Sequence, residues 1–507
     1  MPGCSSIGCT QIRSKTYFIN RVVILPYYFA AEEGDSGYVD ESNQAKGLFF
    51  HAVYAKIAVT MTKLSSESYR GARDWYPEDL RVRKYIFQTW RHVAKSYGYE
   101  EYDAPLLEPV EVYAAKSGDE LVNDQTYQFI DRGDRQVAIR PEMTPSVSRM
   151  IAKHRQEIAY PARWFSIAQF MRYERPQRGR EREFWQMNVD IFGVDNMQAE
   201  AEIIALGSRI MKAFGATDDM YTIRINNRQL INLMMAQFLE LDAVQAQLMI
   251  RLFDRKNKIP PQAFRDQAIE IFGEAAAPVG LQRIAQLLTA RTMADLPESI
   301  RDSEAVRDVQ RLFTLLERSG VTNAIFDITL MRGLDYYTGT VFEFFDTHPD
   351  NNRSLFGGGR YDGLVGMFGA EPISAVGFAP GLSMMQLFLE AHQLLPEFSS
   401  TTDIYMIVLG GAMRGALELA DDLRDEDVNV EVDFTGRKLD KQLKAAIKKQ
   451  IPYFLFVGED ELENEIYTLK NIATSEEQKL SLERVVSAVK DYRRQPSRSE
   501  DDDFDLS

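Results

Sequence analysis

The feature that most constrains this fold is a pair of strand-like segments joined by a strongly charged loop. Residues 163–173 and 183–193 are rich in aromatic and β-branched side chains, a composition typical of β-strands. The connecting stretch RYERPQRGRER, at 172–182, holds five arginines and two glutamates. The pattern predicts a long hairpin whose guanidinium groups suit phosphate oxygens or RNA, or a solvated loop with internal ion pairs.

The rest of the chain is predicted to complete a largely antiparallel sheet interrupted by helices. Apolar spacing typical of a helix runs over 79–97, and residues 226–320 have the composition of a helical insertion. Strand signals return at 325–330, 340–345 and 375–378. Beyond a Pro- and Ser/Thr-containing linker at 395–402, strands and helices alternate, which predicts βαβ units and a small, mostly parallel sheet.

Charge and cysteine usage exclude several classes of function. The 507 residues carry a formal net charge of −16, which argues against binding nucleic acid through bulk charge but permits local basic patches. The only cysteines are Cys4 and Cys9, so we expect no disulfide scaffold, no thiolate zinc site and a reducing, cytoplasmic setting. We expect no resident metal site, and no apolar run reaches the roughly 18 residues of a membrane-spanning helix.

The two ends of the chain differ from its middle. Residues 1–60 make a poor signal or transit peptide, and Met61 opens a segment typical of a domain start. We therefore expect 1–60 to be a disordered extension or a mis-assigned start. The stretch 499–507 has five acids in nine residues, so 496–507 is predicted to be a disordered acidic tail.

Other segments carry chemistry beside the charged loop. RPEMT at 140–144 places a carboxylate near a hydroxyl, RGLDYYTGT at 332–340 combines Arg, Asp and two Tyr, and GGGRYDG at 357–363 allows close backbone approach. Taken singly, each is explained equally well by a surface turn, a core tyrosine or a plain loop. Walker A and GxGxxG sequences are missing, so a nucleotide would need a different cradle.

Taken together and in order, these segments resemble the class II histidyl-tRNA synthetase family over about residues 67–495. The charged loop resembles motif 2, RGLDYYTGTVFE at 332–343 the histidine-specific signature, RPEMT the family's RPEGT, and AVGFAPGL at 375–382 the start of motif 3. The resemblance implies an α+β fold: a class II antiparallel-sheet catalytic domain at 61–395 with a helical insertion at about 226–320, followed by a small α/β anticodon-binding domain at 402–495.

The implied reaction is ATP-dependent ligation of L-histidine to tRNA(His) through histidyl-adenylate, with Mg²⁺ bridging the phosphates. The resemblance also implies a homodimer. Arg172 and Arg332 would be catalytic, stabilising the α-phosphate, and with Glu174 and Gly381 they would bind ATP. The residues implied for histidine binding are Glu142, Thr144, Gln186, Asp190, Tyr336, Tyr337 and Tyr361, and those implied for tRNA binding are Arg175, Gln177, Arg437, Lys438 and Lys441.

One departure keeps alternatives open. Met384 stands where the family's motif 3 carries an arginine; a methionine can cover adenine but brings no charge to the γ-phosphate. A non-catalytic paralogue, such as a histidine-biosynthesis regulatory subunit, is the main alternative, and a plain RNA-binding or scaffold protein is the other. In the C-terminal domain, a helix over 438–449 is predicted to pack through Leu439, Leu443 and Ile447.

Overall fold

The computed structural model describes residues 64–114, 124–256, 259–331, 336–351, 353–398 and 400–494. The chain divides into two units, Met1–Glu67 and Ser68–Ser507. Only residues 64–67 of the first unit are described. The expectations for 1–60 and for the tail at 496–507 therefore fall outside the described residues, as does Arg332.

The second unit is built, up to residue 398, on a large sheet and a small one. The large sheet has the order β1-β5-β6-β11-β10-β9-β7-β8, antiparallel except at its two edges, and the small one has the order β2-β4-β3. The strands are β1 Glu100–Glu101, β2 Leu107–Pro109, β3 Gln128–Ile130, β4 Gln136–Ile139, β5 Ala162–Met171, β6 Glu183–Phe192, β7 Tyr221–Asn227, β8 Ala324–Phe326, β9 Thr340–Asp346, β10 Ser354–Arg360 and β11 Ala375–Phe378.

The predicted hairpin is confirmed. Strands β5 and β6 pair antiparallel along their whole lengths, from Ala162 opposite Phe192 to Met171 opposite Glu183. Side chains alternate between the two faces of such a pair. The hairpin therefore places Gln186 and Asp190 on one face of β6.

Helices cover the sheet and form the insertion. The helices of this region are α1 Pro77–Ser96, α2 Glu111–Ala114, α3 Thr144–Lys153, α4 Gln198–Ala213, α5 Arg228–Leu233, α6 Ala243–Asp254, α7 Pro261–Phe272, α8 Ala277–Thr289, α9 Glu298–Arg301, α10 Glu304–Arg318 and α11 Leu382–Ala391. Buried side chains of α1, α4 and α11 pack with the large sheet in one core. Helices α5 to α10 enclose a second core, which is the helical insertion.

The triple glycine at 357–359 lies in strand β10 and not in a loop. A Cβ on Gly358 would lie 2.1 Å from the carbonyl oxygen of Gly377, and one on Gly357 would lie 2.7 Å from that of Phe342. The glycines therefore allow neighbouring strands to approach closely. Strand β8, predicted over 325–330, spans only Ala324–Phe326.

The C-terminal region holds a separate sheet with the order β13-β12-β14-β15-β16. Its strands are β12 Ile404–Val408, β13 Val430–Val432, β14 Tyr453–Val457, β15 Tyr467–Asn471 and β16 Glu477–Leu480, and its helices are α12 Met413–Asp425, α13 Leu439–Lys448, α14 Glu459–Asn464 and α15 Leu482–Arg493. The expectation of a mostly parallel sheet was wrong in its second half: β15 pairs antiparallel with both β14 and β16. The connections, residues 458–466 and 472–476, are shorter than the roughly twelve residues that a parallel crossover needs.

The two faces of this sheet are covered by different helices. Helices α12 and α15 pack on one face and α13 on the other. None of the helices in the described part of the chain has the length and apolar character needed to cross a bilayer.

Candidate active site

The RPEMT turn is fixed by its arginine. Arg140 is buried, and its guanidinium donates to Asp103 Oδ1 at 2.8 Å and to the carbonyl oxygen of Gln169 at 2.9 Å. It also lies 5.3 Å from the ring centroid of Phe170. With Arg140 held in this way, the turn between β4 and α3 directs Glu142 inward, where its side chain is buried.

Glu142 meets a tyrosine of the signature segment. The hydroxyl of Tyr336 donates to Glu142 Oε2 at 3.2 Å, and it also contacts the Thr144 side chain. Burial, and then the negative charge of Glu142, raise the pKa of Tyr336 well above its ordinary value. The phenol therefore stays protonated and acts as a donor to the carboxylate.

A second carboxylate–phenol pair stands beside the first. The hydroxyl of Tyr361 donates to Asp190 Oδ1, and both side chains are buried. Asp190 Oδ2 has no hydrogen-bond partner within the described residues. Burial raises the pKa of Asp190 to about 7, and the hydrogen bond from Tyr361 offsets only part of that rise. Asp190 therefore has one oxygen open to a ligand.

Glycine makes room for this carboxylate. Gly377 on β11 lies opposite Asp190 on β6. A Cβ at Gly377 would lie 2.1 Å from Asp190 Oδ1, so any larger residue would displace the carboxylate. No sequence pattern indicates this role, because it depends on the register between two distant strands.

Contacts between tyrosine rings place the Glu142–Tyr336 and Asp190–Tyr361 pairs side by side in one pocket wall. The ring of Tyr336 lies 5.2 Å from that of Tyr337 and 5.8 Å from that of Tyr361, both in edge-on geometry. A Cβ at Gly359 would lie 2.9 Å from the Tyr337 ring, so this glycine allows the tyrosine to pack on β10. The structure thus brings together the tyrosines predicted from two separate segments.

Sequence reasoning missed some residues that support this wall. Arg360 and Glu200 form a buried ion pair with a nitrogen–oxygen distance of 2.6 Å, which fixes the end of β10 next to Tyr361. Tyr102 is also missed: its phenol is buried, and the charge of Asp190 adds to the effect of burial in raising its pKa. Arg360 stands in the GGGRYDG segment, but its partner Glu200 and Tyr102 lie in segments without a recognisable pattern.

The neighbouring part of the cavity is formed by the hairpin. Arg172 donates from Nε to the carbonyl oxygen of Pro141 at 2.8 Å, and its guanidinium lies 5.3 Å from the Phe184 ring centroid. Gln186 donates to the carbonyl oxygen of Ala379 at 3.1 Å and pairs with Gly381 at the start of α11. The strand that follows the charged loop therefore lies next to the end of the AVGFAPGL segment.

The hairpin loop also carries Glu174 and the exposed Arg175 and Gln177. Glu174 is buried and pairs with Arg180, which donates to Glu174 Oε1 at 2.9 Å. Arg175 and Gln177 are exposed, near the turn that the backbone forms between Gln177 and Arg180. The loop is thus a structured turn with internal ion pairs and outward-facing polar side chains.

Met384 contacts this loop. A Cβ at Gly179 would lie 2.4 Å from Met384 Sδ, and Ser383 donates to Glu181 Oε2 at 2.9 Å. The sulfur therefore packs against the loop where the family's arginine is expected.

Within the described residues, no three or more His, Cys, Asp and Glu side chains cluster to hold a metal ion.

The tRNA residues predicted in the C-terminal region lie on the surface. Arg437, Lys438 and Lys441 are exposed, in the loop before α13 or on that helix. The predicted packing face was right only for Leu443, which packs against the core: α13 buries Gln442 and Ala446, while Leu439 and Ile447 are exposed.

The orientation of α13, which decides the face that packs on the sheet, has a physical cause. Ala446 belongs to the core that α13 forms with the sheet, and Gln442 donates to the carbonyl oxygen of Arg437 at 2.7 Å. A small residue permits a close approach to the strands, and the amide satisfies the backbone of the preceding loop. These two contacts turn Leu439 and Ile447 away from the sheet.

An antiparallel sheet that carries a charged hairpin, a helical insertion and an appended α/β domain defines a class II aminoacyl-tRNA synthetase architecture. A family model described as Histidyl-tRNA synthetase matches residues 71–385, and one described as Anticodon binding domain matches residues 403–492. The chain belongs to the histidyl-tRNA synthetase family.

Curated relatives agree with this assignment. A histidine–tRNA ligase of Leptospira biflexa is 41% identical over 431 residues, which is 85% of this chain and 98% of that protein. One of Haloarcula marismortui is 37% identical over 416 residues, 81% of this chain and 94% of that protein.

Solved structures share the fold. The crystal structure of a Nostoc histidyl-tRNA synthetase has a TM-score of 0.72 at 24% identity and covers 85% of this chain and 100% of its own. A Bacillus halodurans structure described as an ATP phosphoribosyltransferase regulatory subunit/histidyl-tRNA synthetase has a TM-score of 0.63 at 23% identity, covering 78% of this chain and 99% of its own. At this identity the likeness concerns the fold alone.

Proposed function

We propose that this chain is a histidine–tRNA ligase that uses MgATP to join L-histidine to the 3′ end of tRNA(His). In the first step a carboxylate oxygen of histidine attacks the α-phosphorus of ATP, and pyrophosphate leaves. In the second step a hydroxyl of the terminal ribose attacks the carbonyl carbon of histidyl-adenylate. That hydroxyl loses its proton as AMP leaves.

The observation that carries the proposal is the pair of buried carboxylate–phenol contacts, Glu142 with Tyr336 and Asp190 with Tyr361. Free histidine offers donors at both ends, the α-ammonium group and the imidazole N–H. Asp190, with its open oxygen, would bind the ammonium group together with Thr144 and Gln186. Glu142 and Tyr337 would bind the imidazole. The buried carboxylate of Glu142 is an acceptor, and the imidazole N–H is a donor that could satisfy it.

The first step needs positive charge more than it needs a base, since the nucleophile is already an anion. Arg172 lies between the carbonyl oxygen of Pro141 and the ring of Phe184 and would contact the α-phosphate from one side. Arg332 would stabilise it from the other, a role that rests on the signature segment. Glu174 and the backbone at Gly381 would hold the adenine end of ATP.

Magnesium is best treated as part of the nucleotide substrate. The described residues offer no cluster of ligands for a resident ion, whereas the phosphates of ATP bind Mg²⁺ themselves. The ion would spread the charge that develops on the leaving pyrophosphate.

The tRNA would contact two exposed regions. Arg175 and Gln177 on the hairpin loop would meet the acceptor end, and Arg437, Lys438 and Lys441 would meet the anticodon arm. A homodimer and a cytoplasmic location complete the proposal, and both rest on family membership. The regulatory paralogue is less well supported, because the curated relatives are ligases and the chain matches the anticodon-domain model.

Charging of tRNA tests this proposal directly. Purified protein with MgATP, radiolabelled histidine and total tRNA should produce acid-precipitable label. The label should be lost when periodate has first destroyed the terminal ribose diol. A folded protein that charges no tRNA and forms no AMP would favour the regulatory paralogue.

A further inference from the structure

The segment that precedes helix α1 is bound to the charged hairpin loop. The carbonyl oxygen of Gly71 accepts hydrogen bonds from the backbone N–H of Arg182 at 2.8 Å and of Glu183 at 3.2 Å, where strand β6 begins. Gly71 has a φ of +90°, and a Cβ there would lie 2.7 Å from Arg182 Cγ, so glycine is needed for this close approach. We refer to residues 69–71 as the clasp.

The side chain of Arg182 connects the clasp to the part of the loop that carries Glu174. Its Nη1 donates to the Tyr69 hydroxyl at 3.2 Å and to the carbonyl oxygen of Arg70 at 3.3 Å. Its Nε donates to the carbonyl oxygen of Glu174 at 3.0 Å. Because a guanidinium group is a planar fork with nitrogens in fixed directions, one side chain holds the two segments at a fixed separation.

Tyrosine rings keep the Arg182 guanidinium in place. It lies 4.0 Å from the ring centroid of Tyr173 and 5.7 Å from that of Tyr69. The hydroxyls of Tyr69 and Tyr127 are 3.3 Å apart, and the rings of Tyr127 and Tyr173 meet edge-on with centroids 5.6 Å apart. Cation–π contacts of this kind stabilise a guanidinium group over an aromatic face. The position of the loop therefore depends on tyrosines from two segments outside it.

We propose that Arg182, held by the clasp, is a positioning residue for ATP: it fixes the backbone of Glu174 so that the Glu174 carboxylate meets the amino group of adenine. This inference rests on the proposed function, which assigns the adenine end of ATP to Glu174. The Glu174 side chain is held in turn by Arg180, which donates to its Oε1 at 2.9 Å. In this role Arg182 contacts neither ATP nor histidine.

Inosine triphosphate, ITP, shows whether the adenine contact is affected. ITP has an oxo group where ATP has its 6-amino group, and an ionised carboxylate only accepts hydrogen bonds. ITP therefore has no hydrogen bond to lose when Glu174 is displaced. Arg182→Gln should raise the KM for ATP by about ten-fold and lower the preference for ATP over ITP in kcat/KM by a similar factor. The KM for histidine should stay unchanged.

Two further variants separate positioning from charge. Arg182→Lys keeps a positive charge near the phosphates of ATP but loses the fork, so it should retain most of the defect. Tyr69→Phe removes one hydroxyl acceptor and should raise the KM for ATP by about three-fold. Arg178→Gln is the matched control, an exposed arginine of the same loop, and it should leave both KM values unchanged.

The experiment measures histidine-dependent pyrophosphate exchange with ATP and with ITP on the full chain, together with calorimetric titrations of both nucleotides. Full recovery of the ATP preference in Arg182→Lys would overturn the proposal, because it would assign the arginine to the phosphates. Unchanged constants in Arg182→Gln would also overturn it, as would equal rises in the KM for ATP and for histidine with an unchanged preference. Failure of the proposed function would show separately: the wild-type chain would give no exchange, while the titrations would still compare ATP with ITP.

Discussion

The pocket between β6, β10 and β11 and the surface of α13 recognise charge in opposite ways. In the pocket, Glu142 and Asp190 are desolvated, and each is held by one tyrosine. On α13, Lys441 and Lys444 are exposed and form no ion pair with any residue that the structure describes. A desolvated charge makes a strong interaction that depends on position, whereas a solvated charge makes a weak one that is screened by salt. Changes in the pocket should therefore have large effects at any ionic strength, and changes on the helix should have small effects that disappear in salt.

The largest effect is expected from Glu142→Gln, which keeps the shape of the side chain but removes its charge. Loss of a charged acceptor should lower kcat/KM for histidine in pyrophosphate exchange by about 100-fold. The KM for ATP should change little. Added salt should not alter the ratio of kcat/KM for histidine between the wild type and the variant. Glu108→Gln is the control, another buried carboxylate, paired with Arg149 at 2.8 Å away from the tyrosines. Equal losses in both variants would mean that Glu142 has a structural role only.

Asp190→Asn should separate stability from binding. Burial raises the pKa of this carboxyl from 3.8 to about 7, so its contribution to stability is present below the unfolded value and is lost as pH rises through about 7. Asparagine stays neutral. Near pH 8 the variant should gain roughly 4 kcal/mol in the free energy of unfolding, at about 1.4 kcal/mol per pKa unit, and near pH 4 it should gain little.

The same variant should bind histidine poorly, because the α-ammonium group would lose its anion. Urea denaturation at the two pH values and histidine titration measure both effects. A gain in stability that is equal at both pH values would contradict the assignment of a buried, titrating carboxyl.

Gly377→Ala tests how closely the pocket is packed. The new Cβ would lie 2.1 Å from Asp190 Oδ1, so the carboxylate or the strand must move, at an expected cost of about 1–3 kcal/mol in stability and a raised KM for histidine. Gly133→Ala is the control, since its nearest neighbour is a side-chain atom 3.4 Å away. A variant with unchanged KM would show that the pocket tolerates displacement of Asp190.

The smallest effect is expected on the helix. Lys444→Ala should raise the KM for tRNA by about two- to five-fold at low salt and by less as salt increases, because one solvated charge among several is lost. Charging assays at two salt concentrations measure this change. A loss that persists at high salt would place Lys444 in a desolvated contact like those of the pocket.

The sequence predicts features that depend on local spacing better than features that depend on contacts between distant segments. The hairpin, the signature tyrosines and the buried glutamate stand in segments with characteristic spacing, so the strands at 162–171 and 183–192 were predicted to within about two residues. Gly377, Tyr102 and the Arg360–Glu200 pair were not predicted, because their roles arise from strand register between distant segments. On α13, periodicity identified the helix but not its orientation, which depends on Ala446 and Gln442 packing on strands elsewhere in the chain. Strand β16 is short and polar, so it lacks a strand signal, whereas β15 alternates the buried Tyr467 and Leu469 with more exposed residues over only five positions.

Histidine-dependent exchange of pyrophosphate into ATP tests the central claim most directly, because it isolates the pocket from tRNA. Purified protein should catalyse exchange with histidine and with none of the other standard amino acids, and Arg332→Ala should abolish it. Such a result would also show that Met384 is compatible with ATP binding. No exchange with any amino acid, from a well-folded protein, would contradict the account and assign the fold to a non-catalytic paralogue.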